Sequence, residues 1–211
     1  MIDLALPPGP LRVLCLGAHP DDVEIGCGAT LLALGARREL TATVFVLTGT
    51  AQRQDEASKA AALFLPGTSP TFGGLPDGRL PAQWGTVKDG LEALAATTPK
   101  PDLVFAPRAD DAHQDHRLVA ELVTTAWRDS LVLHYEIPKW DGDVGPANAY
   151  VPVDEATAHR KYELLTQCYP SQTDRDWWDE EMFLGRMRLR GMECRSRYAE
   201  AFVVRKATIT L

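Results

Sequence analysis

Apolar runs alternate with longer amphipathic stretches along the first two thirds of the chain. The clearest run, LRVLCLGA at residues 11–18, is apolar almost throughout, which is typical of a strand buried on both faces of a parallel sheet. The same pattern predicts four further strands, at 42–48, 70–72, 102–107 and 131–137. Helices are predicted between them, at 21–38, 51–65, 82–98 and from about 111 to 128. This alternation predicts an α/β protein with a Rossmann-like three-layer α/β/α fold and a mostly parallel sheet.

The last third of the chain is less regular. Residues 140–150 read as a loop, 154–168 and 176–197 as helices, and 201–209 as a final strand. We find no internal repeat, low-complexity tract or linker that would separate two domains. The sequence therefore predicts a single domain over residues 1–211.

Composition and charge narrow the class of protein. With 211 residues, of which 45% are hydrophobic and 24% charged, the chain has an ordinary globular composition and can bury a full core. A net charge of −7 argues against a nucleic-acid partner, because such proteins normally present a basic face. Five arginines cluster between positions 186 and 197, where they form a solvated helix face or hold an anionic substrate.

The cysteines and the first residues of the chain indicate the cellular compartment. The four cysteines, Cys15, Cys27, Cys168 and Cys194, form no C-x-x-C pair, so a cysteine-based zinc knuckle is not expected. The opening MIDLALPPGPL lacks a basic segment and is broken by prolines, unlike a signal peptide. No stretch approaches the ~20 apolar residues that a membrane helix needs. We therefore expect a cytoplasmic protein that does not insert into membranes.

Residues with metal-binding chemistry follow the first strand, in AHPDD at 18–22. Pro20 suits the first position of a helix, and His19 and Asp22, three positions apart, then share a face and can reach one ion. Asp21 lies nearby without having to coordinate. The alternative is that Asp21 and Asp22 only complement the positive end of the helix. The neighbouring glycines do not fit G-x-G-x-x-G, which argues against a dinucleotide site.

A second group follows the fourth strand, in RADDAHQDHRLV at 108–119. His113 and His116 are again three apart, with Asp115 between them. In a sheet ordered 3-2-1-4-5, strands one and four are neighbours, and ligands bind where the loops after them diverge. Two histidines and a carboxylate suit Zn²⁺ and leave positions open for water and substrate, and the same ligands also accept Fe²⁺. The sequence therefore predicts a catalytic metal site.

The two motifs together resemble the LmbE/PIG-L family of metal-dependent N-acetylglucosaminyl deacetylases. A-H-P-D-D after the first strand and H-x-D-H after the fourth come in the family's order and at the expected strand ends. Weaker similarities are Arg53 with Glu56, LPDG at 75–78, YPSQ at 169–172 and YAEAF at 198–202. Two differences are Gln114 in place of a common proline and a short loop after Thr48, which affects the part of the site that faces the substrate.

The resemblance implies a role for each residue at a matching position. It assigns the metal ligands to His19, Asp22 and His116. Asp21 would be the general base, and a positively charged His113 would stabilise the oxyanion and protonate the departing amine, oriented by Asp115. This last contact requires a turn at 112–115, because helix positions two apart do not face each other. Otherwise Asp115 only balances charge at the helix N-terminus.

Residues outside the two motifs are candidates for the substrate pocket. Arg53 either binds sugar hydroxyls or a phosphate, or lies on a helix surface without a specific role. Asp77 either borders the pocket or serves only the turn of L-P-D-G. Tyr135, Glu136 and Trp140 follow the fifth strand at the same end of the sheet, so they are candidates for the pocket lining.

The resulting hypothesis is a zinc-dependent hydrolase that removes the N-acetyl group from an N-acetylglucosamine-type amino sugar in a small metabolite or glycoconjugate. Two other hypotheses are a metal-dependent hydrolase of another amide or ester, and a metal-binding protein without catalysis. Asp21 speaks against the last, because a purely structural ion has no use for an additional acid. The resemblance also implies self-association into a homo-oligomer.

Overall fold

The computed structural model describes residues 3–208, which contain one seven-stranded sheet. The strands are Leu11–Gly17 (β1), Leu40–Thr48 (β2), Thr71–Leu75 (β3), Leu103–Pro107 (β4), Leu131–Tyr135 (β5), Ala149–Val153 (β6) and Tyr198–Val203 (β7). Their order in the sheet is β3-β2-β1-β4-β5-β7-β6. Neighbours among β1 to β5 are parallel, whereas β7 is antiparallel to both β5 and β6. The predicted fold class and the predicted order of the first five strands are confirmed.

Helices cover both faces of this sheet. They are Asp22–Gly35 (α1), Ala51–Phe64 (α2), Trp84–Thr97 (α3), Gln114–Ala126 (α4), Glu155–Cys168 (α5) and Glu180–Glu193 (α6), with a short 3₁₀ turn at Leu80–Gln83. Val13 and Cys15 of β1 pack in the core beneath α1, α2, α5 and α6, while Leu14 and Leu16 pack beneath α3 and α4. β1 is therefore buried on both faces, as its apolar run predicts.

The predicted helices are present and differ from the prediction at their ends. α4 begins at Gln114 rather than near Asp111, because the His113 ring accepts a backbone N–H of the first turn and caps the helix. α6 begins after Asp179, whose carboxylate caps it in the same way, and not at 176. Within residues 3–208, no helix combines the length and the apolar character needed to cross a membrane.

The strands differ from the prediction at the end of the chain. The segment predicted as a loop at 140–150 runs into β6, an edge strand that the prediction missed. Pro152 lies in β6, and because proline cannot donate to the ladder it is confined to edges, so this sequence does not look like a central strand. The predicted strand at 201–209 begins earlier and ends at Val203, and Ile209 lies outside the described residues.

α1 is an interrupted helix, with its break at Cys27, where φ is −143° and ψ is 15°. The buried carboxylate of Glu200 accepts the backbone N–H groups just after the break, from Ala29 at 3.0 Å and Thr30 at 2.7 Å. Lys161 pairs with Glu200 at 2.6 Å, and both side chains are almost fully buried. The buried ion pair therefore stabilises α1 at its break. The first turn of α1 lies at the end of β1.

Candidate active site

The two predicted motifs meet at the carboxyl edge of the sheet. His19 lies just after β1, and His113 and His116 lie at the start of α4, after β4. β1 and β4 are parallel neighbours, with Val13 opposite Leu103, so both chain segments leave the sheet at the same edge. This is the switch point between β1 and β4, where folds of this type bind their ligands.

Three imidazole rings form the centre of the site. Nδ1 of His19 lies 3.1 Å from Nε2 of His116. The ring centroid of His113 lies 4.6 Å from that of His19 and 4.8 Å from that of His116. One nitrogen from each ring lies within 4.8 Å of the others. Neutral imidazole is a ligand that Zn²⁺ and related ions accept, so this spacing suits a shared cation.

Asp22 completes the predicted set of metal ligands. Its Oδ1 lies 3.3 Å from Nε2 of His116, and its Oδ2 lies 3.5 Å from Nδ1 of His19. Oδ2 also accepts the backbone N–H of His19 at 2.8 Å, which directs the carboxylate toward the rings. The three predicted ligands therefore present two imidazoles and one carboxylate toward a common point, and this donor set fits a catalytic divalent cation.

Each of the two predicted histidine ligands has a carboxylate on its other ring nitrogen. Nδ1 of His116 lies 2.9 Å from Oδ2 of Asp111, and Nε2 of His19 lies 3.3 Å from Oδ2 of Asp115. Histidine ligands commonly donate their second N–H to a carboxylate, which fixes the tautomer and the ring orientation. A different grouping, of His19 with Asp77 and Asp115, would use the nitrogen on the far side of the ring. The two orienting carboxylates favour the predicted set.

Asp111 is a site residue that sequence reasoning missed. Its second oxygen accepts from Nζ of Lys139 at 3.0 Å, across 28 positions of sequence. Burial alone would raise the pKa of Asp111, but the hydrogen bond and charge of His116, the backbone N–H of His113 and the charge of Lys139 lower it to about 2. The sequence signal for Asp111 was its position at a predicted helix start. An acid at such a position is explained equally well by helix capping.

The Asp115 carboxylate does not orient His113 within the described part of the chain, and this corrects the role that the resemblance implies. The carboxylate accepts the backbone N–H groups of Gly78 at 2.8 Å and Leu80 at 3.0 Å, besides its contact with His19. The backbone N–H of Asp115 donates instead to Nδ1 of His113 at 3.2 Å. The reason is helix geometry, because α4 has already begun and residues two apart point in different directions.

His113 is a hydrogen-bond donor in its neutral form. Because Nδ1 accepts the N–H of Asp115, the proton of a neutral ring lies on Nε2. Burial, and then the neighbouring His116 and His19 rings, lower the pKa of His113. The structure therefore disfavours the positively charged His113 that the resemblance implies and supports a neutral ring with a proton on Nε2.

The two proposed histidine ligands lie among carboxylates. Burial alone would lower the pKa of His19, but Asp22 and Asp115 raise it to about 12. Burial also opposes the charge on His116, and Asp22 with Asp111 raises its pKa to about 9. A cation that binds these nitrogens takes the place of the protons, so its affinity depends on pH.

Asp21 lies beside the ligand set in a backbone conformation that residues other than glycine rarely adopt, with φ at 103°. Its Oδ2 accepts from Nη2 of Arg53 at 2.7 Å. Burial raises the pKa of Asp21 to about 6, and the charge of Arg53 limits this rise. Arg53 also donates to Glu56 at 3.3 Å and Ser171 at 3.2 Å, so the protein itself binds much of its guanidinium. Its contact with substrate stays a prediction.

These side chains line a cleft of about 520 Å³, a size typical of small-molecule sites. Trp140 lines the cleft, as its position after the fifth strand predicts. Asp77 does so too, with a side chain that is 74% exposed and lies 3.1 Å from Nε2 of His19. Its place in the turn therefore does not exclude a place in the pocket.

Two other candidates for the lining, Tyr135 and Glu136, have structural roles instead. The Tyr135 hydroxyl is buried and donates to the backbone carbonyl of Leu16 at 2.7 Å. Glu136 is buried and pairs with Arg190 at 2.8 Å and also with Arg186. Two members of the arginine cluster between 186 and 197 therefore share a carboxylate of the protein itself, which weakens the case for an anionic substrate there.

The chain is similar to known proteins in sequence and in fold. Residues 14–127 match the family model described as PIG-L: GlcNAc-PI de-N-acetylase. The uncharacterized deacetylase YaiS of Escherichia coli K12 is 30% identical over 138 residues, which cover 60% of this chain and 74% of YaiS. The conserved protein TT1542 of Thermus thermophilus has a TM-score of 0.74 and 24% identity, over 95% of this chain and 97% of that chain. The N,N′-diacetylchitobiose deacetylase of Pyrococcus horikoshii has a TM-score of 0.73 and 21% identity, over 92% of this chain and 83% of that chain. At these identities the structural likenesses show a shared fold.

Proposed function

The chain belongs to the PIG-L family, and on this basis we propose that it is a metal-dependent deacetylase of an N-acetylglucosamine-type amino sugar. The observation that carries the proposal is the convergence of His19, Asp22 and His116, with Asp21 beside them in an open cleft. A structural ion needs no additional acid, whereas hydrolysis needs a base within reach of water. The reaction class therefore follows from Asp21 as much as from the ligands.

The proposed metal ligands are His19, Asp22 and His116, with Asp111 and Asp115 orienting the two rings. We propose Zn²⁺, because two histidines and one carboxylate are a ligand set of catalytic zinc sites, and the same donors accept Fe²⁺. When bound, a divalent cation supplies Lewis-acid polarisation of the amide carbonyl and a lowered pKa for water.

Asp21 is the proposed general base. Water attacks the carbonyl carbon and gives a proton to Asp21, and the C–N bond then breaks to yield acetate and an amine. With its pKa raised to about 6, Asp21 is mostly ionised at neutral pH and more basic than an ordinary aspartate. The contact with Arg53 at 2.7 Å holds the carboxylate in place. Asp21 also returns the proton to the departing amine, because the Nε2–H of a neutral imidazole can donate a hydrogen bond but is too weak an acid to give up its proton.

His113 is proposed to stabilise the charge that develops on the amide oxygen. Its Nδ1 is occupied by the backbone N–H of Asp115, so Nε2–H is the atom left to donate. A donor fixed in advance where negative charge develops stabilises the transition state more than the ground state. This role needs no positive charge on the ring.

The substrate class is proposed from the family and from its relatives. The family description names a GlcNAc-containing substrate, and the Pyrococcus horikoshii relative is named for diacetylchitobiose. A cytoplasmic location is proposed too, supported by the four free thiols, which are typical of a reducing compartment. A single domain and a homo-oligomer also stay proposals, which limited proteolysis and light scattering would test.

The test of the activity is acetate release from a panel of N-acetylated glucosaminides by the metal-loaded protein. We expect Asp21→Asn to lower kcat by at least ~10²-fold, the usual contribution of a positioned general base. Asp89→Asn, which changes an exposed aspartate of α3, is the matched control and should keep the wild-type rate. Failure of the wild type to release acetate from any member of the panel would refute the proposal, as would full activity of Asp21→Asn.

The ligand assignment has a separate test in metal content. His116→Ala should bind less Zn²⁺ than the wild type after equilibration with excess metal and removal of the unbound fraction. His159→Ala, which removes a half-exposed histidine paired with Glu180, is the control. Undiminished occupancy in His116→Ala would contradict the assignment. Cleavage of another amide or ester, with all sugars left intact, would favour a different hydrolase, and occupancy without turnover a non-catalytic protein.

A further inference from the structure

One wall of the cleft takes no part in the chemistry proposed above. Trp140 contributes to it from the loop after β5, and Arg175 and Trp177 contribute from the segment between α5 and α6. They line the same cleft as Asp21 and His116. A substrate whose amide lies at the histidines can therefore extend toward this wall.

Trp140 is exposed, with 61% of its surface open to solvent, and yet it is held in one orientation. Its Nε1–H donates to Oδ1 of Asp176 at 2.9 Å. Its ring centroid lies 5.6 Å from the guanidinium carbon of Arg175 and 5.9 Å from the nearly perpendicular ring of Trp177. These contacts, rather than burial, hold the indole in place, so its exposed part presents a rigid apolar surface to the cleft.

Arg175 has free hydrogen-bonding capacity beside this indole. Its Nε donates to Oε1 of Gln172 at 2.8 Å, and no carboxylate within residues 3–208 lies at ion-pair distance from it. The other two cations of the cleft differ, because Lys139 contacts three carboxylates and Arg53 contacts two. The terminal N–H groups of Arg175 are therefore available to a ligand.

From these observations we propose that Trp140 and Arg175 form a second subsite, which binds a neutral sugar ring linked to the N-acetylated sugar. The inference rests on the proposed function. Arg175 lies over one face of the indole, so a sugar ring packs its C–H face on the opposite face, while hydroxyls at the edge of the sugar accept from Arg175 and donate to Asp176. Asp176 disfavours an anionic group at the same place. A cleft of about 520 Å³ also has the capacity for a ligand larger than one sugar ring.

The experiment compares kcat/KM for N-acetylglucosamine and for its β-1,4-linked dimer. We expect the wild type to prefer the dimer, and Trp140→Ala to lower this preference by about three- to tenfold, the range of a single aromatic contact. Trp140→Phe should restore most of it. Trp84→Ala, which changes an exposed tryptophan at the start of α3, should leave the preference unchanged. Equal melting temperatures of the variants would show that folding is intact.

Binding to catalytically impaired protein separates this inference from the proposed function. In the Asp21→Asn background, isothermal titration should show tighter binding of the dimer than of the monosaccharide, and Trp140→Ala should abolish the difference. If the wild type hydrolyses no member of the glucosaminide panel, the proposed function fails while the titration still decides on the subsite. Equal affinities of the two sugars would overturn the inference. Preferential binding of N-acetylglucosamine 1-phosphate would overturn the assignment to a neutral ring.

Discussion

Asp111 offers a sharp test of the proposed metal site, because it contacts a ligand without belonging to the ligand set. Its Oδ2 lies 2.9 Å from Nδ1 of His116, and its side chain is almost fully buried. Asp111→Asn keeps the size of the side chain and one acceptor oxygen but removes the negative charge. The substitution therefore changes the basicity and orientation of His116 without removing an atom from the metal.

The expected loss follows from the contacts of the carboxylate with His116 and Lys139, besides the backbone N–H of His113 that it accepts at 2.7 Å. Changing the orienting partner of a histidine ligand typically lowers metal affinity by ~10- to 100-fold, which is about 1.4–2.8 kcal/mol. Asn retains an acceptor for His116, so we expect about tenfold for Asp111→Asn and about 100-fold for Asp111→Ala. In both variants, Lys139 can still pair with Asp141 at 3.4 Å and with Asp143 at 3.7 Å. The loop after β5 therefore loses only one of its ion pairs.

The assay is the dissociation constant for Zn²⁺, measured at one pH by competition with a chromophoric chelator. Asp110→Asn is the matched control, because it changes the neighbouring residue, which pairs with Arg108. We expect wild-type affinity from this control. Wild-type affinity in both Asp111 variants would contradict the proposed role of Asp111. An equal loss in Asp110→Asn would contradict it too, because the effect would then come from the loop in general.

Two further predictions concern α1. Glu200→Ala should lower the free energy of unfolding by about 3–5 kcal/mol in urea denaturation, because it leaves Lys161 charged and unpaired in the core. Glu92→Ala, which removes an exposed pair, should cost less than about 1 kcal/mol, and a similar small cost in Glu200→Ala would contradict the role of the buried pair. Asp21→Gly should be more stable than Asp21→Ala by about 1 kcal/mol, because both lack the carboxylate and only glycine adopts a positive φ without strain. Equal unfolding midpoints would show that the backbone at this position is not strained.

Much of the fold could be predicted because its strongest signals are local. The apolar run of β1 is long enough to show burial on both faces, and the alternation with helices fixes a parallel sheet. Both chemical motifs follow such strands, so the strand order alone brought His19 near His116. β6 lacks this kind of signal, because an edge strand with a proline resembles a loop until its partner is known.

The contacts within the site could not be predicted from the spacing of residues along the sequence. Asp111 and Lys139 are 28 positions apart, and nothing in either segment indicates their pairing. The role of Asp115 depended on whether α4 begins before or after it, and helix ends are the least predictable part of a pattern. Once the helix starts at Gln114, the carboxylate faces the loop after β3 and the backbone N–H faces His113.

The strained backbone at Asp21 explains how two adjacent acids can have different roles. In a regular first turn, Asp21 and Asp22 would both lie at the positive end of the helix, as the capping alternative requires. The left-handed conformation at Asp21 instead separates the carboxylates, so that Asp22 contacts the imidazoles and Asp21 contacts Arg53. Helix capping needs no such strain, and non-glycine residues in this region occur mainly where a function depends on the geometry. The backbone therefore favours a base held beside a metal site over two interchangeable caps.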